Sequence, residues 1–119
     1  MLNKPKFGQN ERLKRKGQFD YLMRNGKRLN HAPFRVVYIL SNESESTQIA
    51  ISVSKKFFKH AVDRNKIKRR VQNAYRLNKI EFKNNSKYLI LFIFQNSTIS
   101  SYQIIEASII AILNKIYNG

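Results

Sequence analysis

Cysteine and tryptophan are absent from this sequence, and acidic residues are scarce. Without cysteine there is no disulfide framework and no thiolate metal site. Only 7 Asp and Glu oppose 23 Lys and Arg, which leaves a formal net charge of +16 on 119 residues. Charge of one sign destabilises a compact chain through self-repulsion, so an excess of this size indicates an anionic partner. Nucleic acid and an anionic membrane are the two candidates.

Long apolar runs are missing too. The longest, Tyr88–Phe94, is far shorter than the roughly 20 residues that cross a bilayer as a helix. Residues 1–17 lack the apolar centre of a secretory signal. We therefore expect a cytoplasmic protein without a membrane partner. The length suits one domain over residues 1–119, with a flexible basic arm at about 1–15.

The spacing of apolar residues predicts seven elements in the order α-β-β-β-α-β-α. Helices are expected at about Lys16–Asn25, Asp63–Lys79 and Tyr102–Tyr117, and strands at about Lys27–Asn30, Phe34–Leu40, Ile49–Ser54 and Tyr88–Phe94. We expect the polar stretch 41–48 to close a hairpin, and the third strand, second helix and fourth strand to form a βαβ unit. This order predicts an α+β fold, a two-layer sandwich of three helices on a four-stranded sheet.

Two helix boundaries carry local signals. Gly26 follows the first helix, and glycine there tolerates the left-handed conformation with which many helices end. Asp63 is a candidate N-cap of the second helix, because a carboxylate accepts free amide hydrogens and favours the helix dipole.

The second helix combines an apolar stripe with a wide basic face. At about 100° per residue, Ile67, Val71 and Ala74 share one side, and Arg, Lys, Asn and Gln fill the other. A merely solvated face would mix signs, since like charges one turn apart repel. These side chains suit phosphate and ribose oxygens. We expect folded RNA rather than DNA, because RNA is recognised by shape and backbone and no helix-turn-helix pair or zinc ligands are present.

No catalytic set is visible. His31 and His60 have no carboxylate close in sequence, the acids are widely separated, and no glycine-rich phosphate loop occurs. No pair of acids is spaced for two-metal chemistry. The residues therefore predict a binding protein without catalytic residues and without a metal site made by its side chains alone.

Two motifs resemble a known family. Ile51–Lys56 ("ISVSKK") followed by Ala61–Arg76 ("AVDRNKIKRRVQNAYR") closely resembles the bacterial ribonuclease P protein component, whose hallmark is Arg-Asn, two residues, then Lys-Arg. The resemblance implies a left-handed βαβ crossover, an exception to the usual rule. It also implies a ribonucleoprotein endonuclease, a hydrolase of tRNA processing. In it the protein, expected to be monomeric alone, binds the catalytic RNA and the 5′ leader of precursor tRNA. The catalytic centre and its Mg²⁺ ions are then expected in the RNA. The alternative is a non-catalytic RNA-binding protein of ribosomal type.

The resemblance also implies site residues. The RNA-binding set is Lys55, Lys56, Arg64, Asn65, Lys66, Lys68, Arg69, Arg70 and Arg76. The leader cleft is Phe19, Met23, Phe34, Tyr38, Ser52 and Ser54. Met23 stands where the family often has an aromatic residue. Either Tyr38 or Val37 faces the cleft, and Tyr38 is preferred because it shares a strand face with Phe34. Phe57 and Phe58 receive no role.

Overall fold

The structure, a computed structural model, describes residues 16–41, 46–79 and 86–118. Helices are α1 (Lys16–Asn25), α2 (Ala61–Asn78) and α3 (Tyr102–Asn118), and strands are β1 (Lys27–His31), β2 (Phe34–Leu40), β3 (Gln48–Val53) and β4 (Tyr88–Phe94). All seven expected elements are present in the expected order, with bounds within two residues of the prediction. The expected arm at about 1–15 lies outside the described residues.

β4 occupies the centre of the sheet, whose order is β1-β2-β4-β3. It pairs antiparallel with β2 and parallel with β3, and β1 and β2 form an antiparallel hairpin. The expected hairpin between β2 and β3 is therefore wrong. β4 separates them, because a strand that is apolar on both faces is most stable in the interior of a sheet. The expected β3-α2-β4 unit is confirmed, and the left-handed sense of its crossover stays a prediction.

Helices cover both faces of the sheet. α2 and α3 pack on one face, against side chains that include Phe34, Val36, Ile49, Ile90 and Phe92. α1 packs on the other, where Leu22 joins Val37, Leu89 and Leu91. The α+β fold of three helices and a four-stranded mixed sheet is confirmed, and α1 adds a partial third layer to the expected two. We call the second face the α1 face.

Gly26 is required for space and not for a left-handed conformation. Among the described glycines none has a positive φ, so the expected left-handed helix end is wrong. A Cβ at Gly26 would lie 2.5 Å from the Leu22 carbonyl oxygen and 2.7 Å from Val37 Cγ1. The Gly26 amide donates to that same oxygen at 2.8 Å. The chain thus turns from α1 into β1 while pressed against the sheet, which only glycine permits.

α2 begins two residues before its expected start. His60 is the N-cap residue, and its carbonyl accepts the amides of Asp63 and Arg64 at 3.1 and 3.3 Å. Asp63 is therefore in the first turn and not the cap, because its own amide is already used within that turn. Its carboxylate still lies at the positive end of the helix dipole.

None of the helices within the described part of the chain has the length and apolarity needed to cross a bilayer.

Candidate nucleic-acid interface

The loop between β3 and α2 is held by short-range contacts. The amide of Phe58 donates to the Ser54 carbonyl at 3.1 Å, and the amide of Lys56 donates to Ser54 Oγ at 3.0 Å. Phe58 is buried with its ring centroid 6.0 Å from that of Phe94. The loop is therefore fixed, and it presents the exposed side chains of Lys55 and Lys56 beside the start of α2.

The outward face of α2 is basic, as the helical spacing predicts. The inward side chains of Ile67, Val71 and Ala74 are 0% exposed. On the outward side Asn65, Lys66 and Arg69 are exposed, and Lys68 and Arg76 are half-buried. We call Asn65, Lys66, Lys68, Arg69 and Arg76 the basic face of α2. Several cations therefore lie together on one helix surface, an arrangement that suits a phosphate chain.

Two arginines of the expected RNA-binding set bind the protein's own main chain. Arg64 Nη1 donates to the carbonyls of Phe58 and Lys59 at 2.7 and 2.9 Å. Arg70 Nη1 donates to the Ser100 carbonyl at 2.6 Å. Arg64 therefore ties α2 to the loop before it, and Arg70 ties α2 to the segment before α3. Their guanidinium charges still add to the positive field, but these contacts define a positioning role.

On the α1 face the strand registers align side chains in rows across the sheet. One row is Asn30, Arg35, Ile93 and Ser52, which are successive partners from β1 to β3. The neighbouring row, Arg28, Val37, Leu91 and Ala50, is covered, since Val37 and Leu91 are 0% and 7% exposed. In the first row only Ile93 is half-buried and the other three side chains are exposed. We call this first row the open row.

α1 borders the open row with its apolar side. Gln18 and Phe19 flank the buried Leu22 on opposite sides of the helix, by about 40° and 60°. Gln18 Nε2 donates to Gln48 Oε1 at 2.9 Å, at the end of β3 away from the open row. Phe19 is therefore on the side that faces the open row, together with Met23, which is 41% exposed.

The residues expected to form the leader cleft do not all lie on the same face of the sheet. Phe34 is 2% exposed, and it packs under α2 and α3 with Phe92 and Phe94, whose ring centroids lie 6.0 and 5.6 Å away. Tyr38 is on that same face, 6.4 Å from Tyr88. The preference for Tyr38 over Val37 is therefore wrong, because strand alternation places Val37 on the α1 face.

Phe19, Met23 and Ser52 remain together on or beside the α1 face, and Ser54 follows at the end of β3, where its hydroxyl accepts the Lys56 amide.

Arg35 is a candidate residue that the expected set lacks. It stands exposed in the open row, beside Ile93 of β4. A surface depression of about 410 Å³ lies at its end of the row, lined by Asn30, Ala32, Pro33, Phe34, Arg35, Gln95 and Asn96. A charged residue inside the apolar strand "FRVVYIL" was the available signal, because it indicates a sheet face that is not fully covered.

A polar network fixes the far end of α2 against α3. Glu106 Oε2 accepts the Tyr102 hydroxyl at 3.0 Å and Asn78 Nδ2 at 3.1 Å. Burial, and then the hydrogen bond to Glu106, raise the pKa of Tyr102 above its usual 10.0. Burial also raises the pKa of Tyr117, whose hydroxyl is 2.8 Å from Thr47 Oγ1. Glu106 thus links α3 to α2, and Tyr117 links α3 to the residue before β3.

In the ranges 16–41, 46–79 and 86–118, no three His, Asp or Glu side chains come together as metal ligands. The expectation that Mg²⁺ is held by an RNA subunit stays a prediction.

A small α+β domain with a run of cations on one helix and the loop before it, and with a partly open row on its sheet, defines a class: a protein that binds a polyanion. Residues 7–117 match the family profile described as Ribonuclease P. The chain belongs to the ribonuclease P protein component family, whose members take part in tRNA processing as RNA-binding subunits of an endoribonuclease.

Curated relatives of that family include the ribonuclease P protein components of Clostridioides difficile and Clostridium botulinum strain Loch Maree. The first is 38% identical over 92 residues, covering 77% of this chain and 78% of the relative. The second is 34% identical over 110 residues, covering 90% and 96%. A third, from Porphyromonas gingivalis W83, is 41% identical over 83 residues, and the match spans 66% of this chain and 61% of that protein.

Solved structures of the family share the fold. The Staphylococcus aureus RNase P protein aligns with a TM-score of 0.72 and 27% identity, covering 89% of this chain and 94% of that one. The RNase P protein from Thermotoga maritima aligns with a TM-score of 0.75 and 24% identity, covering 88% and 96%.

Proposed function

We propose that this chain is the protein subunit of a ribonuclease P holoenzyme in which a catalytic RNA cuts the 5′ leader from precursor tRNA. The protein contributes binding and no catalytic group. The basic face of α2 contacts the catalytic RNA, and the open row receives the leader. The observation that carries the proposal is a set of exposed cations on α2 and on the loop before it, a loop that continues from β3, the strand in which the partly uncovered open row ends. The protein acts in the cytoplasm and joins the RNA as a monomer.

Charge and exposure support the contact with the catalytic RNA. The exposed members of the basic face point away from the core, and Lys55 and Lys56 extend the cationic surface along the preceding loop. Releasing condensed counterions from phosphates supplies most of the affinity of such surfaces. With about six phosphates contacted, the slope of log affinity against log salt should be near −4 to −5.

The open row suits a single strand better than a duplex. It has one residue from each strand between β1 and β3, and Phe19 and Met23 of α1 lie along one side. Ser54 and Lys55 follow β3 near the end of the row that Ser52 forms. Arg35 supplies a cation within it, and Ser52 offers a small hydroxyl that lets a backbone approach closely. An aromatic ring beside a cationic groove is the usual arrangement for unpaired nucleotides. The proposed leader cleft is therefore Phe19, Met23, Arg35, Ser52, Ser54 and Ile93.

We expect Mg²⁺ to be held mainly by the RNA subunit. The protein's part is to place cations near the leader phosphates, which lowers their repulsion of the catalytic RNA. Less magnesium is then needed for the two RNAs to associate.

The test is cleavage of precursor tRNA by the catalytic RNA at low magnesium, with and without this protein. Two substrates are compared, one with a leader of about ten nucleotides and one with a single leader nucleotide. We expect the protein to accelerate cleavage of the long-leader substrate and to have a much smaller effect on the other. Equal rates with and without protein for both substrates would refute the proposal, and tight binding to ribosomal RNA instead would favour the ribosomal alternative.

A further inference from the structure

Two consecutive phenylalanines in the β3–α2 loop have opposite environments. Phe58 is 6% exposed and belongs to the core beneath α2, whereas Phe57 is 46% exposed. Burying a phenylalanine normally stabilises a fold, so a side chain left about half in solvent on an ordered loop contributes less to stability than it could. The position of Phe57 is therefore not explained by the packing of the domain.

The loop holds Phe57 rigidly. Its neighbour Phe58 is anchored on both sides: its amide binds the Ser54 carbonyl, and its carbonyl accepts Arg64 Nη1 at 2.7 Å. The next carbonyl, of Lys59, accepts the same guanidinium at 2.9 Å. A ring presented on a fixed backbone loses little conformational entropy when a ligand contacts it.

The surroundings of Phe57 are cationic. Lys55, Lys56 and Lys59 in the same loop are exposed, and Asn65 and Lys66 follow on the first turns of α2. Asp63 is the one acid near the loop in sequence, and it is half-buried in the first turn of α2. A flat apolar ring surrounded by lysines matches one ligand chemistry well, a base with its flanking phosphates.

We propose that Phe57 is a stacking platform for an unpaired RNA base, at a site separate from the open row. Lys55, Lys56 and Lys59 hold the phosphates on either side of that base. The site rests on the proposed function, since it requires an RNA partner. The base belongs either to the leader of the precursor or to an unpaired segment of the catalytic RNA, and the chemistry of recognition is the same.

A single tryptophan at position 57 reports stacking directly, because the chain has no tryptophan of its own. Indole fluorescence is quenched when a base stacks on the ring. Phe57→Trp is compared with Tyr21→Trp, since Tyr21 is 52% exposed and lies on the side of α1 away from the open row. Full-length protein is titrated with the catalytic RNA, with leader-bearing precursor, or with precursor lacking the leader. We expect quenching in the Phe57→Trp variant and little in the Tyr21→Trp variant, and the arm that quenches identifies the source of the base.

Binding measurements complete the test. Phe57→Ala should weaken RNA binding roughly 5- to 150-fold, as for the loss of one stacked base. Phe57→Leu should weaken binding by most of that factor, because leucine is apolar but not planar and cannot stack on a base. The urea midpoint should be unchanged, since the ring is exposed. If wild type binds RNA while the indole of Phe57→Trp stays unquenched and Phe57→Ala binds normally, this inference fails and the proposed function stands. A lower urea midpoint for Phe57→Ala, with the indole of Phe57→Trp unquenched, would make Phe57 structural. If wild type binds none of the RNAs, the proposed function itself fails.

Discussion

Replacing Gly26 with alanine tests whether α1 is held against the sheet by close packing. The added Cβ would lie 2.5 Å from the Leu22 carbonyl oxygen, 2.7 Å from Val37 Cγ1 and 3.2 Å from Leu22 Cδ1. The first two distances are shorter than Cβ contacts in folded proteins. Because Leu22 and Val37 are both 0% exposed, neither can move aside without disturbing the core on the α1 face.

The expected loss can be worked out from these contacts. Overpacking a core costs about 1–3 kcal/mol. Moving the Leu22 carbonyl away also weakens its 2.8 Å hydrogen bond from the Gly26 amide, which contributes about 1 kcal/mol. Alanine also lowers the conformational entropy of the unfolded chain, which offsets about 0.4–1 kcal/mol of this destabilisation. We therefore expect Gly26→Ala to lower the free energy of unfolding by about 1–3.5 kcal/mol.

Gly17→Ala is the matched control, because the same atoms are added at a glycine in the first turn of α1. Apart from its chain neighbours and the backbone of its own helix, no described atom lies within 4 Å of a Cβ at Gly17. Alanine there should raise the free energy of unfolding by up to about 1 kcal/mol, through helix propensity. Equilibrium urea unfolding followed by circular dichroism measures both variants. If Gly26→Ala were as stable as wild type, the contacts of Gly26 with Leu22 and Val37 would not be what fixes α1 against the sheet.

Three further predictions concern charge and protons. Arg69→Ala should reduce the slope of log affinity for RNA against log salt by about 0.7–0.9 without changing stability. Arg64→Ala should instead lower the free energy of unfolding by about 1–2 kcal/mol, because its contacts with two main-chain carbonyls are lost. Salt-dependent binding and urea unfolding distinguish the two variants, and identical effects would contradict the distinction. Arg35→Ala should weaken binding of leader-bearing but not leaderless precursor, with Lys115→Ala on α3 as the control, and equal loss on both substrates would remove Arg35 from the cleft. Because burial raises the pKa of Tyr117, the folded state holds that proton more tightly, so its contribution to stability is full below pH 10.0 and is lost as pH rises through the higher folded pKa. In urea unfolding over alkaline pH, the stability of Tyr117→Phe should therefore fall less steeply with pH than that of the exposed control Tyr21→Phe. Equal slopes for the two variants would contradict this prediction.

Strand and helix positions were predictable because they depend on local periodicity. The stripe of Ile67, Val71 and Ala74 specifies how α2 sits, and the apolar run Tyr88–Phe94 specifies an interior strand. Pairing was not predictable in the same way. Alternation tells which residues of a strand share a face, but it does not tell which strand lies next to it, so β4 was not placed between β2 and β3.

The cleft was misassigned for a related reason. Val36 and Val37 are both 0% exposed, so polarity marks neither face of β2 as the outer one. Only Arg35 breaks the apolar pattern, and it lies on the same face of β2 as Val37 because the two are separated by one residue. The role of Arg64 was hidden as well, because its acceptors are main-chain carbonyls whose position depends on the conformation of the loop and not on side-chain spacing.

The central position of β4 has a consequence for how the chain is made. Until Tyr88–Phe94 has left the ribosome, β2 and β3 have no shared partner, and the β1–β2 hairpin is the one strand pairing of the described sheet that can form. Pairings between segments distant in sequence form slowly, because the entropy of closing a long loop is lost before the strand contacts can stabilise the chain. The basic surface of α2 is therefore synthesised before the sheet that supports it can assemble, and a nascent chain that ends before β4 exposes cations without a fold.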